Sequence, residues 1–254
     1  MNIQVPNGEL LLAFLLAMVR AGAWVSVSPP FTNIPTPIMV KASVAASLAL
    51  MAVPHLQTSQ VPQDMVGMIG ALVMQVMIGV LMGLVTMILF SAIEAAGSLV
   101  DMFGGIVLPP SLDPLSQNQV PLIGQFYNVV AVALLFMSGG YEYLIYGWVK
   151  SFSGFGLSLD SMKFTSAVLT SDVATFFVSS LEIAAPVIIV LFLAQVVMGM
   201  IAKAAPQANV FLLAFPFQVG LTLLFVGFGM EVLPTAVTNL VLKATHDSLS
   251  LVGL

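Results

Sequence analysis

Four ionisable side chains of this sequence, Arg20, Glu142, Glu182 and Glu231, lie inside otherwise apolar runs. A charge at the centre of a bilayer costs about 3 kcal/mol unless it is paired or meets water, so each one needs a reason to be there. Such groups could line a path for ions or protons. They could equally pair across helices or sit at an aqueous edge, and one base against three acids favours pairing. A second group, Lys203, Pro206, Gln207 and Asn209, interrupts the apolar segment AKAAPQANVFLLAFPF at 202–217, as either a plain hairpin or a site would. His55 and His246 lie far apart, and neither has the partner at i+3 or i+4 that a metal site uses. No Gly-x-Ser-x-Gly elbow, His-Glu-x-x-His pair or phosphate-cradling glycine loop occurs, and there is no cysteine. The sequence therefore offers no catalytic residue, no metal site and no cofactor.

The elements that must carry these residues follow from composition. Of the 254 residues 59% are apolar and 7% charged, with a mean hydropathy of +1.10, where soluble domains carry about 25% charged residues. This is the composition of a membrane protein. Eleven acids against six bases give a net charge of −5 without any run of like charge, which excludes a nucleic-acid partner. Six apolar runs, 10–27, 40–56, 65–93, 122–149, 173–202 and 208–242, predict an all-α polytopic protein of about six long helices arranged as hairpins, because open strands leave their backbone unsatisfied in lipid. The first run follows a segment with Glu9 and no base, so it is expected to stay as a helix rather than act as a cleaved signal. The run 173–202 would be about 45 Å long as a straight helix, more than a bilayer core requires. Pro186, Pro216 and Pro234 predict kinks in the last two runs. The six bases are spread too evenly to set an orientation.

Two further segments stand out. Residues 65–87 place methionine at 65, 68, 74, 77, 82 and 87, and Gly79-x-x-x-Gly83 permits close approach of another helix, a composition suited to packing against other subunits or to facing lipid. The insert 94–121 is expected to be the least helical part. In it Phe103, Gly104 and Gly105 precede the apolar Ile106, Val107 and Leu108, and Pro109, Pro110 and Ser111 follow. An apolar tip on a Gly/Pro scaffold could close a pore by dewetting, or the insert could be a surface linker.

With these residues laid out, the sequence resembles the FliR/SctT family of type III export-apparatus proteins. The likeness rests on Arg20 with Pro29, Pro30, Phe31 and Pro35, on Glu94-Ala95-Ala96-Gly97 through Asp113-Pro114, on Gly139-Gly140, and on Ala184-Ala185-Pro186 leading to Ala205-Pro206-Gln207-Ala208-Asn209-Val210-Phe211 and Phe215-Pro216. It spans nearly the whole chain in order. It implies a non-enzymatic subunit of a flagellar protein-export gate in the bacterial inner membrane, at the flagellar basal body. It also implies a FliP-like part at 1–150 and a FliQ-like helical hairpin at 165–245. The partners implied are FliP-like, FliQ-like, FlhB-like and FlhA-like proteins, with unfolded flagellar proteins as cargo. The resemblance makes 103–111 a channel-closing loop, and makes Arg20, Glu94, Asp113, Glu142, Glu182, Lys203, Pro206, Gln207, Asn209 and Glu231 subunit contacts or buried polar groups. Three positions depart from the family pattern: Lys203 stands where arginine is usual, Tyr141 where histidine commonly follows the two glycines, and aliphatic residues where the closing loop is usually aromatic. The rival reading is a small polytopic transporter, which would need an internal repeat with paired helix breaks. Only a loose match between the runs before and after residue 120 supports one.

Overall fold

A computed structural model describes residues 8–29, 31–32, 36–56, 61–62, 64–106, 121–154, 166–205 and 210–253. Among them the secondary structure is helical, with no strand. Helix α1 spans Gly8–Val27 and α2 spans Ile38–Ala52, running into a 3-10 turn at Val53–His55. They are followed by α3 (Met65–Phe103), α4 (Leu122–Met137), α5 (Gly140–Gly154), α6 (Ser166–Ala204), α7 (Val210–Gly229) and α8 (Leu233–Leu251). The expected all-α polytopic class is the class found. Four helices are long and apolar enough to cross a membrane, or up to six spans if the pairs α4/α5 and α7/α8 each count as one bent span.

The boundaries differ from the expected ones in three places. Helix α3 does not stop at 93 but continues for ten residues into the supposed insert, reaching 39 residues and roughly 58 Å. Within this continuation Gly97 lies where α3 meets α4: a Cβ there would come within 2.7 Å of Gly124 Cα. The run 122–149 is two helices, parted at Ser138 and at Gly139, whose φ of +71° is the left-handed conformation that glycine adopts without strain. The run 208–242 is also two helices, broken at 230–232, and the second continues to Leu251. Pro234 is therefore the second residue of α8, where its missing N–H breaks no helical bond; it opens a helix instead of kinking one. Pro186 and Pro216 lie inside α6 and α7 as expected.

The chain divides into two compact units, each built from separated segments. The first comprises residues 1–89, 139–173 and 240–254, the second residues 90–138 and 174–239. In the first unit α1 and α2 pack along each other. Ala13, Ala17 and Ala21 recur every four residues on α1, and Ala45, Leu48, Ala49 and Ala52 form the buried stripe of α2. Faces of such small residues let helix backbones come close, which drives association where lipid removes the hydrophobic incentive. The Gly79-x-x-x-Gly83 motif acts within the chain itself. A Cβ at Gly79 would strike the Arg20 carbonyl and lie 2.8 Å from Ala23 Cβ, and one at Gly83 would lie 2.9 Å from Val27 Cβ. The helix admitted by these glycines is α1.

Hydroxyls in the apolar helices are satisfied locally. Ser43 donates to the Met39 carbonyl, Ser47 to Ser43, Thr86 to Met82, Ser98 to Glu94 and Thr238 to Pro234, each reaching back four residues. Each of these hydroxyl hydrogens is thereby paired inside its own helix.

The α1–α3 seam makes a direct test. Gly79→Leu should lower the thermal midpoint of the purified protein by several degrees, because overpacking a tight contact costs about 1–3 kcal/mol. Gly22→Ala, at a glycine with nothing within 4 Å, should leave the midpoint unchanged or raise it. Equal midpoints for Gly79→Leu and wild type would show that the seam is not tight.

Candidate functional site

In the first unit the sequence-predicted residue with the densest surroundings is Arg20. It has no exposed surface. Its Nε donates to Gln75 Oε1 on α3 at 2.7 Å, and its Nη1 donates to Ser151 Oγ on α5 at 2.9 Å. The guanidinium plane lies 4.0 Å from the centre of the Phe152 ring, which packs edge-on against Trp148 with centroids 5.1 Å apart. One side chain thus ties α1 to α3 and α5. Neither Gln75 nor Ser151 is a site candidate by sequence, because a buried amide or hydroxyl has no local signature when its partner is 55 or 131 residues away.

In the second unit Glu94 Oε2 accepts a hydrogen bond from Asn128 Nδ2 at 2.6 Å, again joining α3 to α4. A residue the sequence reading missed does more at this junction. Asp101, fully buried on α3, accepts from the backbone N–H of Ile123 at 3.1 Å and of Gly124 at 3.0 Å. It therefore caps the start of α4 from another helix, where the helix N–H groups and dipole favour a carboxylate. A cap supplied from 22 residues away escapes any reading of local motifs.

The root of the expected closing loop is described and the tip is not. Phe103 ends α3, and its carbonyl accepts hydrogen bonds from Gln195 Nε2 of α6, at 2.9 Å, and from Gln218 Nε2 of α7. Gly104 touches α7 so closely that a Cβ would sit 2.6 Å from Thr222 Oγ1. Gly105 is left-handed, with φ +68°, and the Ile106 N–H returns to the Asp101 carbonyl at 3.1 Å while the Gly105 N–H returns to Met102 at 3.4 Å. This is a Schellman ending. The two glycines at this end have separate jobs, one a close contact and one a helix stop. Val107, Leu108, Pro109, Pro110, Ser111 and Asp113 lie outside the described residues, as do Pro206, Gln207 and Asn209.

The remaining candidates are not gathered into one site. Glu142 is exposed in the first turn of α5, 3.4 Å from the Tyr141 hydroxyl. Glu182 and Lys203 on α6, and Glu231 between α7 and α8, are exposed, and none of these three forms an ion pair among the described residues. Among the described residues no group of three or more His, Asp or Glu could hold a metal ion. The ion pairs are elsewhere: Lys243 Nζ lies 2.6 Å from Asp247 Oδ2 and 3.6 Å from Asp172 Oδ1. The Lys243-x-x-x-Asp247 spacing is legible in the sequence, whereas the approach of Asp172 is not.

Replacing Arg20 tests whether the first unit depends on this contact. Arg20→Met, which leaves Gln75 and Ser151 buried with their bonds to Arg20 lost, should destabilise the protein by about 2–4 kcal/mol. Arg20→Lys, which cannot serve two acceptors and stack on a ring with one planar group, should recover only part of that loss. Thermal unfolding of the three proteins checks the order, and an Arg20→Met protein as stable as wild type would overturn it.

The fold, buried arginine and capped helix ends occur in a chain whose relatives are consistent. Residues 11–244 match the family described as bacterial export proteins, family 1. The flagellar biosynthetic protein FliR of Bacillus subtilis (strain 168) is 26% identical over 254 residues, covering 96% of this chain and 97% of that one. FliR of Pectobacterium carotovorum subsp. carotovorum is 25% identical over 222 residues, covering 87% and 85%. The surface presentation of antigens protein SpaR of Salmonella typhimurium (strain LT2) is 27% identical over 201 residues, covering 78% and 75%. Matched along nearly its entire length, the chain belongs to the bacterial export proteins, family 1, the FliR/SctT family of type III export-apparatus components.

Proposed function

We propose that this chain is a structural, non-enzymatic subunit of the flagellar protein-export gate. In this reading it assembles with FliP-like and FliQ-like subunits in the bacterial inner membrane, at the base of the flagellum. Together they form the wall of a channel for unfolded flagellar proteins, beside FlhB-like and FlhA-like proteins. Residues 1–150 take the FliP-like place and 165–245 the FliQ-like place.

The observation that carries the reading is on α6. Its charge-free stretch, 183–202, is about as long as a bilayer core is thick. Ahead of it Val173, Phe177, Val178 and Leu181 are 45%, 60%, 54% and 58% exposed. A bilayer core cannot cover both 183–202 and these four residues, and apolar surface beyond the reach of lipid marks a protein contact. Neighbouring subunits would cover them. The exposed Glu182 and Lys203 flank the same stretch and are free to meet polar groups of those neighbours.

Residues 103–111 are proposed as the element that closes the channel at rest. Support comes from their root, where the Phe103 carbonyl is held by glutamines of both α6 and α7. The apolar composition of Ile106, Val107 and Leu108 suits exclusion of water by dewetting.

Two measurements test the reading. Purified alone, the chain should lose its monodisperse peak in size-exclusion chromatography after mild heating, whereas a complex with FliP-like and FliQ-like partners should survive, since partners that bind only the folded form stabilise it. A monomer as heat-resistant as the complex would reject the assembly. Deleting residues 106–111 should leave an assembled complex that conducts ions without substrate, and Leu108→Ser should give a smaller leak. Unchanged conductance in an assembled deletion variant would place the seal elsewhere.

A further inference from the structure

The first unit contains a buried charge imbalance that the export role does not use. Asp172, in the second turn of α6, has a side chain with no exposed surface. Neither of its oxygens accepts a hydrogen bond among the described residues. The groups acting on it are Lys243 and Asp247, both from α8. Lys243 Nζ stands 3.6 Å from Asp172 Oδ1, too long for a hydrogen bond, and is already committed to Asp247 Oδ2 at 2.6 Å. One cation therefore serves two carboxylates. The two carboxyls are neighbours around the same ammonium, but two ionised carboxylates are both acceptors and cannot bond to each other.

A single proton resolves the whole arrangement. On Asp172 it removes the surplus negative charge and supplies the missing donor, giving an O–H···O bond to Asp247 alongside the Lys243 contact. The cluster reaches the protein surface at His246, whose side chain is 82% exposed and whose Nδ1 lies 3.2 Å from Asp247 Oδ1. Among the described residues, no charged group besides Lys243 and His246 forms an ion pair with either carboxylate. On α5, which meets α8 where Gly147 faces Thr245, Glu142 and Lys150 are exposed, and Arg20 of α1 is engaged with Gln75 and Ser151. The cluster also lies outside the charge-free stretch 183–202, since Asp172 precedes that stretch by about 16 Å along the helix.

We propose that Asp172 and Asp247 bind one shared proton, and that this proton latches the start of α6 to the end of α8. The proton is bound as pH falls and released as pH rises. With it gone, a net negative charge is left in the protein interior and α8 loosens from α6. The proposal is independent of which partners the chain assembles with.

The absence of native cysteine provides the probe. Ala244, fully buried beside Lys243, is replaced by cysteine, and maleimide labelling of the full-length protein is followed from about pH 6 to about pH 8.5. Leu242→Cys, at an exposed position on the same helix, gives the rate expected from thiol ionisation alone. The labelling rate of Ala244→Cys relative to Leu242→Cys should rise about tenfold across this range, roughly the response to losing one proton over one pH unit. In Asp172→Asn, which is neutral at every pH and keeps a donor, the ratio should stay flat within about twofold. Asp247→Asn, which leaves one cation with one anion, should also flatten it, and carries the test if Asp172→Asn does not fold. A ratio that does not change in the wild type, or that changes as much in either folded variant, would overturn the latch.

Discussion

A guanidinium shut away from water must find its acceptors among side chains, and on α1 those acceptors stand on two other helices. That constraint organises the first unit. Gln75 and Ser151 can reach Arg20 only if α3 and α5 hold fixed rotations and heights against α1. The glycines at 79 and 83 then make sense, because they bring the α3 backbone to the α1 backbone at the level of the arginine's own carbonyl. Phe152 covers the guanidinium face while Trp148 fixes Phe152. The apolar residues of these helices would accept many rotations about their axes, and the polar contact selects one.

Helix ends in the second unit follow a similar logic by different means. Water is scarce around a membrane helix, so its terminal N–H and C=O groups must be met by protein. Asp101 meets the start of α4, while Gln195 and Gln218 meet the end of α3. The three helices α4, α6 and α7 are thereby referenced to one short piece of chain, residues 101–103.

Much of this was legible in the sequence and some could not have been. Composition alone gives an all-helical membrane protein, and Arg20 stands out because a lone base in an apolar run needs an explanation. Family membership was readable from the spacing of Glu94, Gly97, Asp113-Pro114 and the proline-glutamine-asparagine segment. Helix boundaries failed where glycine has two opposite uses. At Gly97 it permits contact inside a continuous helix, and at Gly139 it ends one, and only the neighbouring helix distinguishes the cases. Asp172 was invisible as a site because it looks like an ordinary polar residue near a helix start. Its significance depends on Lys243 and Asp247, some 70 residues later. Proline misled for a related reason, since Pro234 is harmless at the start of a helix and disruptive inside one.

The interleaving of the two units bears on how the protein is made. Residues 1–89 belong to the unit that also needs residues 240–254, so nothing synthesised in between completes it. At a translation rate of about 5–20 residues per second, the 165 residues from 90 to 254 take on the order of ten seconds. Throughout that interval α1, α2 and the part of α3 before residue 90 lack the last segment of their unit. The last turns of α8 therefore close the unit that α1 opens, and this unit can be completed only after its most distant segment has been made.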